Sequence, residues 1–201
     1  MKTGAGAGDE IPDTPDAANV LLLAPVDREQ SDTLCLDALS RSPPAETRVL
    51  AVTYGYSPAE FIEAWADHVG EAPAAGGVVA VGESESEFAD GTWRARFVKN
   101  PGDLTGIGIQ LSELLSDLAA GAGPNEEVVV CFDAVSSLLQ YADLQRSFRF
   151  LHVVTGRVRN ADSTCYYHLD PDAHDEQTMA TLDSLFDSTV ESNSDGWTVS
   201  R

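Results

Sequence analysis

Short apolar runs too continuous to leave either side facing water recur along this chain, and between them apolar residues return every three or four positions. The runs NVLLLA (residues 19–24), TRVLAVTY (47–54), GGVVAVG (76–82) and EVVVCFD (127–133) carry the pattern of strands covered on both faces. TWRARFVKN (92–100), STCYYHLD (163–170) and a short segment near GWTVS (196–200) add further strand candidates. Helical spacing predicts helices over SDTLCLDALS with Ser31 or Asp32 as cap, over SPAEFIEAWADHVG, and over LTGIGIQLSELLSDLAA behind Asp103. In the second of these, Ser57 and Glu60 form a capping box, Pro58 sits in the first turn and Gly70 provides the stop. Two more helices are predicted over residues 143–160 and over DEQTMATLDSLFDSTVE (175–191). Strands of the buried type alternating with helices imply a three-layer α/β domain with a mainly parallel sheet and helices on both faces.

The rest of the composition narrows the setting. Residues 1–18 are rich in Gly, Ala, Asp and Pro and read as a flexible leader, leaving residues 19–201 as a single domain. Asp plus Glu number 33 against 12 Lys plus Arg, a formal net charge of -21, and Lys2 and Lys99 are the sole lysines. A dispersed acidic charge with so little lysine points to a halophilic, salt-loaded cytosol that screens self-repulsion. The same field disfavours nucleic acid, whose phosphates need clustered Lys and Arg. Cys35, Cys131 and Cys165 are odd in number, far apart and set in apolar segments, as expected of buried free thiols. Neither a signal-peptide core nor a membrane-length apolar run is present, so a cytoplasmic protein without membrane insertion is expected.

Ligands of open parallel sheets sit beyond the carboxyl ends of strands. Two such ends stand out: the turn after Ala24, and Asp133 at the end of EVVVCFD. A phosphate cradle of the form GxxxxGK[ST] needs Gly for close backbone approach, Lys for the outer phosphates and Ser or Thr for magnesium. Laid over residues 24–31, that pattern meets Ala24, Glu29, Gln30 and Ser31, so the hydroxyl position alone is retained. Asp27, Glu29 and Asp32 add negative charge, and a carboxylate about 4 Å from a phosphate oxygen is repelled by a few kcal/mol.

With those residues in view, FDAVSSLLQY after EVVVC resembles the Walker B strand and following segment of the RecA/KaiC-like ATPases, particularly the archaeal KaiC-like group linked to signal transduction. VTYGYSPAEFI is similar to the second-strand region where that family carries two glutamates before Ser-Pro. NPGDLTGIGIQLSELL is similar to a helix of its archaeal members, and the resemblance covers most of residues 19–191. It implies a RecA-like (P-loop NTPase-like) sheet, with Asp133 at the Walker B position. Gly55 and Tyr56 replace the water-activating glutamates, and the Walker A glycine and lysine are lost. The expectation is therefore a pseudo-ATPase with no catalytic residues and no cofactor, a regulatory or signal-transduction protein acting through protein partners or self-association. The alternative is an ATPase with an unorthodox loop, in which Ser31 and Asp133 hold magnesium and ATP.

Three further constellations carry chemistry. HLDPDAHDE (168–176) admits a metal reading through His168, Asp170, His174 and Asp175, but its spacing matches no standard ligand pattern and an acidic strand-to-helix loop explains it; no metal is expected. His152 is expected among core residues on the apolar side of its helix. Arg146, Arg149 and Arg157 share one side of the 143–160 helix, which is either a docking surface or a set of internal salt bridges. A phosphoreceiver reading fails for want of an aspartate in GGVVAVG and a lysine after the fifth strand.

Overall fold

The computed structural model describes residues 11–14, 16–25, 28–84, 91–193 and 196–200, with the side chains of residues 28–32 left aside. Along them run β1 (Asn19–Leu23), α1 (Arg28–Leu39), β2 (Thr47–Tyr54), α2 (Pro58–Val69), β3 (Ala75–Val81), β4 (Trp93–Val98) and α3 (Leu104–Gly121). Then follow β5 (Glu127–Asp133), α4 (Val135–Tyr141), α5 (Leu144–Asn160), β6 (Thr164–Leu169), α6 (Glu176–Asp183), β7 (Ser188–Asn193) and β8 (Gly196–Ser200). The strands form one sheet in the order β4-β3-β2-β5-β6-β1-β7-β8. Every pairing is parallel except β7 with β8.

Side-chain alternation along the central strands builds a core on each face of the sheet. Val20, Leu22, Val49, Ala51, Val129 and Cys131 point to the face covered by Leu34, Ala38 and Leu39 of α1 and by Phe61 and Trp65 of α2. Leu21, Leu50, Val52, Val130 and Phe132 point the other way, against α3, α4, α5 and α6. The stripe Leu104, Ile107, Leu111, Leu114, Leu115 and Leu118 buries the inner side of α3, each leucine contributing roughly 1.5–3 kcal/mol. Helix α2 has the Ser57–Glu60 capping box and stops at Gly70 in the left-handed region (φ 82); α3 is capped by Asp103, which accepts from the Gly106 N–H at 2.9 Å. All three cysteines are free and buried. Ile11 is also buried, packed on the α1 face, and the Arg41 guanidinium donates to its carbonyl and pairs with Asp13.

A buried polar knot joins β1 to its neighbours. Asn19 is fully buried; its Oδ1 accepts from the Tyr167 hydroxyl at 2.9 Å, its side-chain amide donates to the Thr155 carbonyl at 3.3 Å, and its backbone N–H donates to Asp187 Oδ2 at 2.9 Å. Arg159 holds the other Asp187 oxygen at 2.8 Å. Burial works against ionisation of Asp187, but these donors outweigh it and its pKa falls.

The structure departs from the sequence reading in four places. The helix expected over residues 175–191 ends at Asp183, and Ser188–Asn193 is strand β7. There the β-branched Thr189 and Val190 pair with β1, and burial of Val190 outweighs the helical spacing that Leu185 and Phe186 prolong. Helix α4 fills a segment to which the sequence assigned no element. Helix α1 begins at Arg28, so Ser31 and Asp32 lie inside it rather than capping it. His152 is exposed, not a core residue; its ring stacks on Phe148 at 6.4 Å along the outside of α5. Most of the acidic stretch ESESEFADG (83–91), whose composition is that of a solvated loop, lies outside the described residues.

Candidate functional site

Two adjacent central strands send the chain to opposite faces. After β1 the chain enters α1 on one face, whereas after β6 a short turn (Pro171–Ala173) leads to α6 on the other. Divergence of this kind opens a crevice at the carboxyl edge of a parallel sheet. The groups delivered there are the Ala24 carbonyl after β1, Asp133 at the end of β5 and His168 near the end of β6.

Asp133 and His168 meet because of strand parity. In the β5–β6 register Cys131 faces Tyr166 and Phe132 faces Tyr167, so the next step sets Asp133 beside His168. Both follow the parity of Cys131 and Tyr166, which belong to the α1 side of the sheet. His168 Nδ1 lies 3.1 Å from Asp133 Oδ1, and its Nε2 lies 3.1 Å from the Ala24 carbonyl oxygen. The His168 side chain is 2% exposed and that of Asp133 19%. With an acceptor at each ring nitrogen, the imidazole satisfies both by carrying two protons. Burial pushes its pKa down, but the hydrogen bond and charge of Asp133, the Ala24 carbonyl and the charge of Asp170 outweigh it, and the net shift is upward. Hydrogen bonds at both ring nitrogens thus favour the charged form of His168 between the ends of β1 and β5.

A second hydrogen-bonded group lies alongside. Ser136, buried at the start of α4, accepts from the Asp170 backbone N–H at 3.0 Å and sits 2.9 Å from His174 Nε2. The Asp133–Ala134 peptide that leads into α4 is cis. At the end of β2, the Tyr54 hydroxyl is buried without a hydrogen-bond partner among the described residues; burial and the neighbouring Tyr141 push its pKa up.

The loop residues of the metal reading do not converge. His168 turns to Asp133 and His174 to Ser136, while Asp170 accepts from the Asp172 N–H and Asp175 caps α6 through the Thr178 N–H. Among the described residues no group of three or more His, Cys, Asp and Glu is disposed to hold a metal ion. Ser31 lies in α1 with its side chain outside the described residues, as do the side chains of Arg28, Glu29, Gln30 and Asp32 and the whole of Asp27. Arg146, Arg149 and Arg157 are exposed on α5, which packs on the opposite face of the sheet from α1. What the sequence reading missed is the joining of Asp133 to His168, and the role of Ser136. The signal was present in part, as an acid and a histidine near the ends of two strand-like runs, but their adjacency needs the strand order.

Fold and site together define a three-layer α/β protein in which His168 links the carboxyl ends of β1 and β5. The chain belongs to a family of unknown function (DUF7504), whose profile matches residues 17–192. It is similar in fold to a protein from Pyrococcus horikoshii OT3 solved in a structural study, with a TM-score of 0.57 and 10% sequence identity over 91% of this chain and 85% of that one. At that identity the likeness concerns the fold alone. No curated protein matches. Among the described residues no helix is long and apolar enough to cross a membrane.

Proposed function

We infer that this chain is a RecA/KaiC-like pseudo-ATPase, a regulatory or signal-transduction protein that acts through protein contacts. The observation that carries the reading is the bridge that His168 makes between Asp133 and the Ala24 carbonyl. In an ATPase of this class the acid at the Asp133 position serves magnesium, and the backbone after the first strand wraps phosphate. Here His168 engages both Asp133 and the Ala24 carbonyl at 3.1 Å. A divalent cation drawn to Asp133 would compete with His168 for the carboxylate and be repelled by the protonated ring. The residues present do not fit a magnesium triphosphate, and the sequence lacks the cradle's glycine and lysine as well.

Isothermal titration of ATP with magnesium into the protein, in concentrated salt, tests this. No saturable heat is expected up to millimolar nucleotide, for the native chain or for Asp133→Asn. Micromolar binding that Asp133→Asn abolishes would overturn the argument from His168 and promote the alternative, an active or nucleotide-binding ATPase with Ser31 and Asp133 on magnesium.

A further inference from the structure

The outer face of the α3–α5 pair combines two properties that are rare on an acidic surface. Ile109 on α3 and Val153 on α5 are 50% and 52% exposed, and they flank a groove of about 400 Å³ in which Phe150 also takes part. The helices approach closely at this point: a Cβ on Gly108 would lie 3.4 Å from the Phe150 ring. Around the groove stand Arg146, Arg149 and Arg157. Like Arg96, these three guanidiniums make no ion pair among the described residues, whereas Arg41, Arg48, Arg94 and Arg159 each find an acid. In a chain with 33 acidic residues against 12 basic ones, three arginines on one stripe without an acid among the described residues forgo partners that are abundant elsewhere. Their positions, with Val153 between, follow the 3.6-residue period along α5, so the stripe spans about three turns, or roughly 16 Å.

We propose that this groove binds an acidic amphipathic helix of a partner protein, with aliphatic side chains against Ile109, Phe150 and Val153 and carboxylates on Arg146, Arg149 and Arg157. The inference rests on the reading of the chain as a contact protein and names the surface and its occupant. A helix of about three turns matches the groove, with apolar residues at i, i+4 and i+7 facing inward. Bidentate guanidinium–carboxylate contacts at the rim set the sign of the partner's charge. A second copy docked through the same face about a two-fold axis would set this arginine stripe against itself, which like-charge repulsion opposes. An anionic bilayer, flat and wider than the stripe, would also press against the rest of a chain whose net charge is -21.

The test is selection from a random-peptide display library on the immobilised full chain, followed by fluorescence anisotropy of the enriched peptides. The buffer is one in which circular dichroism shows the native protein and both variants folded. Enriched peptides are expected to be acidic with helical apolar spacing. Their affinity should fall at least about tenfold for Arg149→Glu/Arg157→Glu and for Ile109→Ser/Val153→Ser. The proposal is overturned if nothing is enriched, if the peptides are neutral or basic, or if binding survives either double substitution. It is also overturned if sedimentation shows a self-associated native protein that the arginine substitutions dissolve, or if phosphatidylserine vesicles bind in an arginine-dependent way. Nucleotide titration is independent of all these outcomes, so a failed groove leaves the pseudo-ATPase reading standing, and ATP binding leaves the groove standing.

Discussion

Replacing Asp133 by Asn tests the physical core of the crevice, because it keeps the side chain's shape and removes its charge. In the native protein the His168–Asp133 contact is a charge-assisted hydrogen bond at 3.1 Å around an imidazole 2% exposed, a class of bond with a net value of roughly 1.5–3 kcal/mol. An asparagine leaves a neutral bond of roughly 0.5–1.5 kcal/mol, so a loss of about 1–2 kcal/mol is expected where the native imidazole is charged. The pH dependence is the sharper part. His168 has a raised folded-state pKa, so its stabilisation is fully present below the unfolded value of about 6.5 and is lost as pH rises through the folded value. In the variant, burial is opposed only by the Ala24 carbonyl and the charge of Asp170. The difference in stability between the two proteins should therefore be largest at the acid end of the range and shrink with rising pH. Urea unfolding in fixed high salt from about pH 5.5 to about pH 8.5 measures it, and an NMR titration of the His168 ring follows the proton directly. A difference that stays constant or grows with pH, or a His168 pKa below the ordinary value in the native protein, would refute the bridging-imidazolium argument.

Two structural substitutions test the frame that holds this crevice. Asn19→Ala removes the acceptor of the Tyr167 hydroxyl and the donor to the Thr155 carbonyl, leaving buried polar groups unpaired at a cost of about 2–3 kcal/mol; an unchanged urea midpoint would contradict it. Gly76→Ala would place a methyl carbon 2.0 Å from the Trp93 ring, which packs edge-on against Phe61 and Trp65 at 5.9 Å each. Overpacking of about 1–3 kcal/mol is expected, with a fall in thermal midpoint and altered near-ultraviolet dichroism of the tryptophans; a native-like spectrum and midpoint would show that the β3–β4 edge packs differently.

What the sequence disclosed follows from the range of the forces involved. The capping box of α2, its Gly70 stop and the Asp103 cap of α3 are written within a few consecutive residues, and the runs at β1, β2, β3 and β5 announce burial on both faces by composition alone. Helical spacing carried through Leu185 and Phe186 concealed β7, whose strand state comes from pairing with β1, more than 160 residues earlier in the chain. The crevice is hidden for the same reason. Asp133 and His168 are 35 residues apart and His168 and Ala24 are 144 apart, and nothing local says that β6 lies between β5 and β1. Once that order is known, strand parity alone puts the acid and the imidazole on the same side. A histidine that the sequence set among four candidate ligands of a loop metal site is thereby the hydrogen-bond partner of Asp133. The decisive chemistry lies in the sheet order, and a substitution at His168 should disturb Asp133 more than it disturbs any residue of the loop in which His168 appeared to belong.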